Sequence, residues 1–148
     1  MITSHRKKLS VAVTLACFVS SLSMAGELLR TPGDALVKEG GKQIAVTVST
    51  LENPDGSLSS KVSRPSGDGI ASRTFPQRLD PKAWFVFVES ASRVWLFDGK
   101  KDLSVLVMSD KNWRGSLADD PTAAEDLKAC PQEVRQALPE VVRKSLFR

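Results

Sequence analysis

From Lys42 to Leu51 hydrophobic and polar residues alternate, with Ile44, Val46 and Val48 on one side and Gln43, Thr47 and Ser49 on the other. Period two with one apolar face predicts a half-buried strand. Asn53-Pro54-Asp55-Gly56 follows as a turn, where proline presets φ and glycine accepts a positive one. Ser57 to Ser63 returns as a second strand carrying Leu58 and Val62, and its serines suit a sheet edge. Three runs rich in β-branched and aromatic residues come next, Trp84 to Glu89, Val94 to Phe97 and Leu103 to Met108. Their connections, Ser90-Ala91-Ser92 and Asp98 to Asp102, have hairpin length, which predicts an antiparallel meander over 84–108. Trp84, Val86 and Val88 are apolar on one face and Phe85 and Phe87 on the other, so both faces should be at least partly covered.

The remaining segments read less regularly. Gly26 to Gly41 is a lead-in with Pro32-Gly33 and Gly40-Gly41 as breakers and a short helical turn at Asp34 to Lys38. Arg64 to Lys82 holds Pro65, Gly67, Gly69, Pro76 and Pro81; a connection this long without structure of its own is usually functional or disordered. Thr122 to Ala129 reads as a short helix. Beyond Pro131, the residues Val134, Ala137, Leu138, Val141, Val142 and Leu146 fall at offsets 0, 3, 4, 7, 8 and 12, one continuous helical face. Pro139 inside a helix would cost roughly 3 kcal/mol, which predicts a kink there or a second short helix opened by Pro139. Strands first and helices last give an α+β domain: an antiparallel sheet of about five strands, covered on one face by the C-terminal helices.

The N-terminus changes the meaning of the charge. Met1 to Lys8 ends in Arg6, Lys7 and Lys8, Leu9 to Ala25 is uncharged and largely apolar, and Ser23-Met24-Ala25 offers a small-x-small cleavage site. These are the parts of a secretory signal peptide, and the 17-residue apolar stretch is short for a membrane span of roughly 20 residues. The expected organisation is a signal at 1–25 and one α+β domain at 26–148, periplasmic or secreted after a cut near Ala25. The whole chain has 21 Lys+Arg against 17 Asp+Glu, a net +4. Removing the three signal cations leaves 18 against 17, so the mature +1 carries no argument for nucleic acid, and membrane contact is expected only through the signal.

The cut also removes His5, the sole histidine, and Cys17, one of two cysteines. Ser-His-Asp and Cys-His machinery, histidine zinc sites and CxxC pairs are then excluded, and no cofactor or metal is expected. Cys130 remains as a single thiol, either buried as a small hydrophobe or available for a redox-responsive homodimer. Arg64, Arg73, Arg78 and Lys82 make the irregular segment locally basic, able to hold an anionic group if it is not simply a solvated loop. Trp95 faces opposite to Val94 and Leu96. If the helices cover Val94 and Leu96, then Phe85, Phe87 and Trp95 form an open aromatic patch for a ligand or partner; the lead-in or long loop could cover it instead. The preferred expectation is a small exported, non-catalytic domain that binds a partner protein or envelope component. The alternative is a histidine-free enzyme acting on an envelope polymer, with carboxylates such as Glu89, Asp98 or Asp110 as its acid/base pair.

Overall fold

The computed structural model describes residues 26–148; the signal expected at 1–25 lies outside them. Nine strands come first: β1 (Glu27–Leu29), β2 (Gly33–Glu39), β3 (Lys42–Glu52), β4 (Leu58–Ser66), β5 (Gly69–Thr74), β6 (Phe85–Ser90), β7 (Arg93–Phe97), β8 (Leu103–Ser109) and β9 (Asn112–Leu117). A 3-10 turn at Pro121–Ala123 leads into α1 (Ala124–Lys128), α2 (Gln132–Ala137) and α3 (Glu140–Leu146). The α+β class and the meander hold, but the strands divide into two antiparallel sheets. One runs β1-β6-β7-β8-β9 and the other β2-β3-β4-β5, so the strands at 42–52 and 58–66 belong to a second sheet and not to that of the meander.

The lead-in is itself two strands. Ala35 and Val37 alternate with Asp34, Leu36 and Lys38, and Gly40 and Gly41 take φ of 58° and 80°. Both positive values are what a two-residue type I′ hairpin needs, and Glu39 pairs with Lys42 across it. The Arg64 to Lys82 stretch is likewise mostly structured. Its first residues complete β4, Gly67 at φ 59° turns the chain, and β5 pairs back with Pro65 opposite Ile70. The remaining connection, 75–84, crosses from one sheet to the other with Phe75, Leu79 and Trp84 buried in the core between them. It closes one end of the sandwich, with Leu79 N–H bonded to Leu58 O at 2.8 Å.

Alternation in the meander then decides both covers. Val86, Val88, Val94, Leu96 and Leu106 face Ala35, Val46, Val48 and Val62 of the second sheet. Phe85, Phe87, Trp95, Phe97 and Val105 face Val134, Leu138 and Val142 of the helices. Pro139 opens α3, and Leu138 before it is extended at ψ 145°, as steric pressure from a following proline requires. The break resets the helical phase. Val134, Leu138 and Val142 stay buried while Val141 is 81% exposed, so the face is not continuous.

Candidate functional site

The open aromatic patch expected at Phe85, Phe87 and Trp95 is corrected by this arrangement. All three are buried, Trp95 completely, under α2 and α3. The helices settle on the face with the large rings because the Val94/Leu96 face is already taken by the second sheet. Trp95 Nε1 donates to Glu89 Oε1 at 2.8 Å, so even its polar edge is satisfied internally.

The four basic residues do not gather into one loop site. Arg64 lies on β4 with every guanidinium nitrogen engaged: Nε donates to Pro65 O (2.8 Å), Nη1 to Ala91 O (2.7 Å) and Nη2 to Glu39 Oε2 (3.1 Å). That guanidinium holds the Glu39 carboxyl below its ordinary range. Arg78 pairs with Asp55 in the 53–56 turn. Lys82 is exposed beside Pro81. Arg78 lines a cleft with Asp55 and Phe75, and Arg73 lines a separate one between the sheets.

Two of the carboxylates named for acid/base work, Glu89 and Asp98, have structural tasks. Glu89 receives Trp95 and lies 3.4 Å from Arg93, which in turn ties to Asp126 of α1 at 2.9 Å. Asp98 is buried and its Oδ1 accepts from the N–H groups of Lys100 (2.7 Å), Lys101 (2.9 Å) and Asp102 (3.1 Å). Asp110 occupies the β8–β9 turn at φ 59°. The acidic cluster before the helices behaves as a cap: Asp120 Oδ1 accepts from Thr122 N (2.9 Å) and Oγ1 (2.8 Å), which lowers its pKa. Cys130 is buried. Loss of hydration pushes its thiol up to about 11, which makes the thiolate needed for disulfide chemistry scarce near neutral pH.

The best candidate site lies where the two sheets meet along one side. β5 ends the four-stranded sheet and β9 the five-stranded one, and the two edges run side by side. No strand pairing joins them; Arg73 Nη1 reaches across to Trp113 O at 3.3 Å. Toward the Thr74 and Leu117 end the seam opens into a cleft of about 270 Å³, lined by Arg73, Phe75, Gln77, Ser104, Gly115 and Leu117 among others. Its origin is readable in the register. Ser104 shares a face with Leu106 and Leu96, and Gly115 sits opposite Leu106 between Trp113 and Leu117. Two small residues therefore fall on the inner face where bulky ones would close the sandwich. A Cβ on Gly115 would sit 3.3 Å from Arg73 Nε and 3.6 Å from Leu106 Cδ1, so the glycine makes room for the guanidinium.

Two buried side-chain polar atoms lack a partner among the described residues: the acceptor Gln77 Oε1, whose residue lines the cleft, and the donor Trp113 Nε1, whose residue packs in the core between the sheets. Buried polar groups are nearly always paired, so the unpartnered amide oxygen of Gln77 marks the cleft as an incomplete site. Ile70 on β5 and Leu117 on β9 leave apolar surface at the two edges, 74% and 37% exposed. Neither Gln77 nor the Ser104/Gly115 gap was singled out in the sequence. Alternation through Trp113, Gly115 and Leu117 could have flagged the gap. The orphaned amide could not be seen without the fold. No protein-family model matches this chain, and no curated protein or solved structure matches it.

Proposed function

We propose that this chain is an exported, non-catalytic binding domain that takes an extended segment of a partner protein at the β5–β9 seam. The observation carrying this reading is the cleft at the seam between two unjoined strand edges, with the unpartnered Gln77 Oε1 among the residues that line it. An edge strand offers backbone N–H and C=O groups to an incoming strand, and alternate side chains of that strand give specificity through pockets. Here the cleft beside Gly115 is the pocket, with Arg73 and Ser104 its polar contacts and Leu117 part of its wall, while Ile70 adds apolar surface further along the β5 edge. Binding is favoured over catalysis because Glu89 and Asp98 are spent on holding the fold. Export, with a cut after Ala25, supplies the setting and leaves 148 less 25, or 123, residues.

Crosslinked pull-downs from intact envelope test the reading. Ile70→Asp and Leu117→Asp alter exposed edge positions, where substitutions usually change stability by only about 0.5 kcal/mol. Each should reduce capture of a discrete partner about tenfold, a loss of about 1.4 kcal/mol in binding. Val141→Asp, on the exposed side of α3, should leave capture unchanged. Equal capture by all three variants would overturn the seam as the contact surface. A purified mature protein whose mass is not that of a chain beginning at Gly26 would overturn the cut.

A further inference from the structure

A second cleft lies on the helical cover, away from the β5–β9 seam. It measures about 380 Å³ and is lined by Cys130, Gln132, Arg135, Gln136 and Arg143. Its lining contains two guanidinium groups, two carboxamides and no carboxylate. Both arginines are half-buried, and neither has a carboxylate within ion-pair distance among the described residues.

Their existing partners fix geometry without cancelling charge. Arg143 Nε donates to Arg135 O at 2.9 Å and Nη2 to Leu138 O at 2.8 Å. The plane of that guanidinium is thereby held while Nη1 keeps its donors. Arg135 lies against the Phe147 ring, its Cζ 4.3 Å from the centroid, and Nη2 makes a long 3.5 Å contact with Lys128 O. Carbonyl oxygens and a ring face carry only partial charge, so two full positive charges remain on one concave surface. Placing like charges together out of bulk water is unfavourable unless a counter-charge joins them. Glu89, whose field reaches the Cys130 end, is already committed to Arg93 and Trp95. Cys130 itself stays a neutral thiol and does not repel an anion.

We infer that this cleft is an anion site for a tetrahedral phosphoryl group, held by Arg135 and Arg143 with the Gln132 and Gln136 amides as neutral donors. Guanidinium forks match phosphate oxygens two at a time, and the break at Pro139 is what brings α2 and α3 side chains eight residues apart onto one cleft. The same chemistry could come from a free phosphate ester or from a lipid headgroup, and the test has an arm for each.

The mature chain is titrated with inorganic phosphate at constant ionic strength set with sodium chloride. Arginine Nε–H resonances and the thermal midpoint are followed together. The expected result is a saturable shift of Arg135 and Arg143 and a rise in midpoint, with no such response to chloride alone. Gln136→Glu changes an exposed residue and puts a carboxylate into the cleft. It should weaken the phosphate response at least tenfold and raise the midpoint of the phosphate-free protein. Arg135→Gln should lose the response with its fold intact by near-ultraviolet dichroism. In the second arm, phosphatidylcholine vesicles with and without phosphatidylglycerol are sedimented with the protein. Retention that needs both the anionic lipid and Arg135 supports the same site with a headgroup as source. Failure of both arms, or a response unchanged in Gln136→Glu and Arg135→Gln, would overturn the inference.

Discussion

Asp98 Oδ1 gathers three successive backbone N–H groups in the β7–β8 turn, and Gly99 beside it takes φ 92° with no room to spare. A Cβ there would meet Asp80 Cβ at 2.8 Å and Trp84 N at 2.9 Å. Gly56, at φ 85°, has open space around it. Gly56→Ala therefore carries only the left-handed backbone cost of about 1–2 kcal/mol, whereas Gly99→Ala adds a steric cost on top. Urea midpoints should order wild type, Gly56→Ala, then Gly99→Ala; equal midpoints for the two variants would contradict the tight packing. Cys130 yields a second expectation at this scale. With its thiol pushed up to about 11 by burial, it should react with a disulfide reagent at pH 8 far more slowly in the native chain than in denaturant. Native and denatured rates that agree would contradict the burial. Asp55 supplies a pH dependence. Its carboxyl is lowered from 3.8 to about 2, first by the Ser57 hydroxyl and backbone N–H and then by Arg78. A depressed folded value means stabilisation present above about pH 4 and lost as pH falls toward 2. The stability gap between wild type and Asp55→Asn should accordingly be present at pH 5 and shrink toward pH 2. A gap independent of pH would remove the ion pair and turn as its source. Such single residues were only partly legible beforehand. The Asn53-Pro54-Asp55-Gly56 turn declares itself through proline and glycine, but the role of Asp98 depends on the exact shape of a five-residue connection.

Elements were legible where apolar runs were long and ambiguous where they were short. WFVFVE, VWLF and LSVLVM announce β6, β7 and β8 because few structures other than strands bury so many β-branched and aromatic side chains in so short a run. β2 was masked because Ala35 and Val37 are its only inward apolar residues, and the glycines that make its hairpin also resemble breakers. The expected helical face holds at Val134, Ala137, Leu138, Val142 and Leu146 and fails at Val141. Pro139 interrupts it, so Val141 turns to solvent while Leu138 stays 2% exposed. Val141→Ser should shift stability by no more than about 0.5 kcal/mol, and Leu138→Ala should cost about 2–5 kcal/mol. Chemical denaturation of both variants checks the pair, and a large cost at Val141 would restore the continuous helix.

At the scale of the whole molecule, the sequence could not decide which face of the meander each cover takes. Both faces are apolar, and the choice rests on how the second sheet folds over Val94 and Leu96. Once that sheet is in place, the rings of Phe85, Phe87 and Trp95 are left for the helices, and the connection at 75–84 becomes a plug between the sheets. The proposed binding surface accordingly lies not on a sheet face but on the side where β5 and β9 remain unjoined. Arg73 excepted, the proposed site is not legible in the sequence because it is built out of absences: a glycine, a serine and an unpartnered amide oxygen. The central claim is that a partner seats on this seam. It is tested most directly by placing a photoreactive residue at Leu117 or at Val141 and irradiating intact exporting cells. The expected result is a discrete higher-mass adduct from Leu117 and none from Val141. Adducts from both positions alike, or from neither, would contradict it.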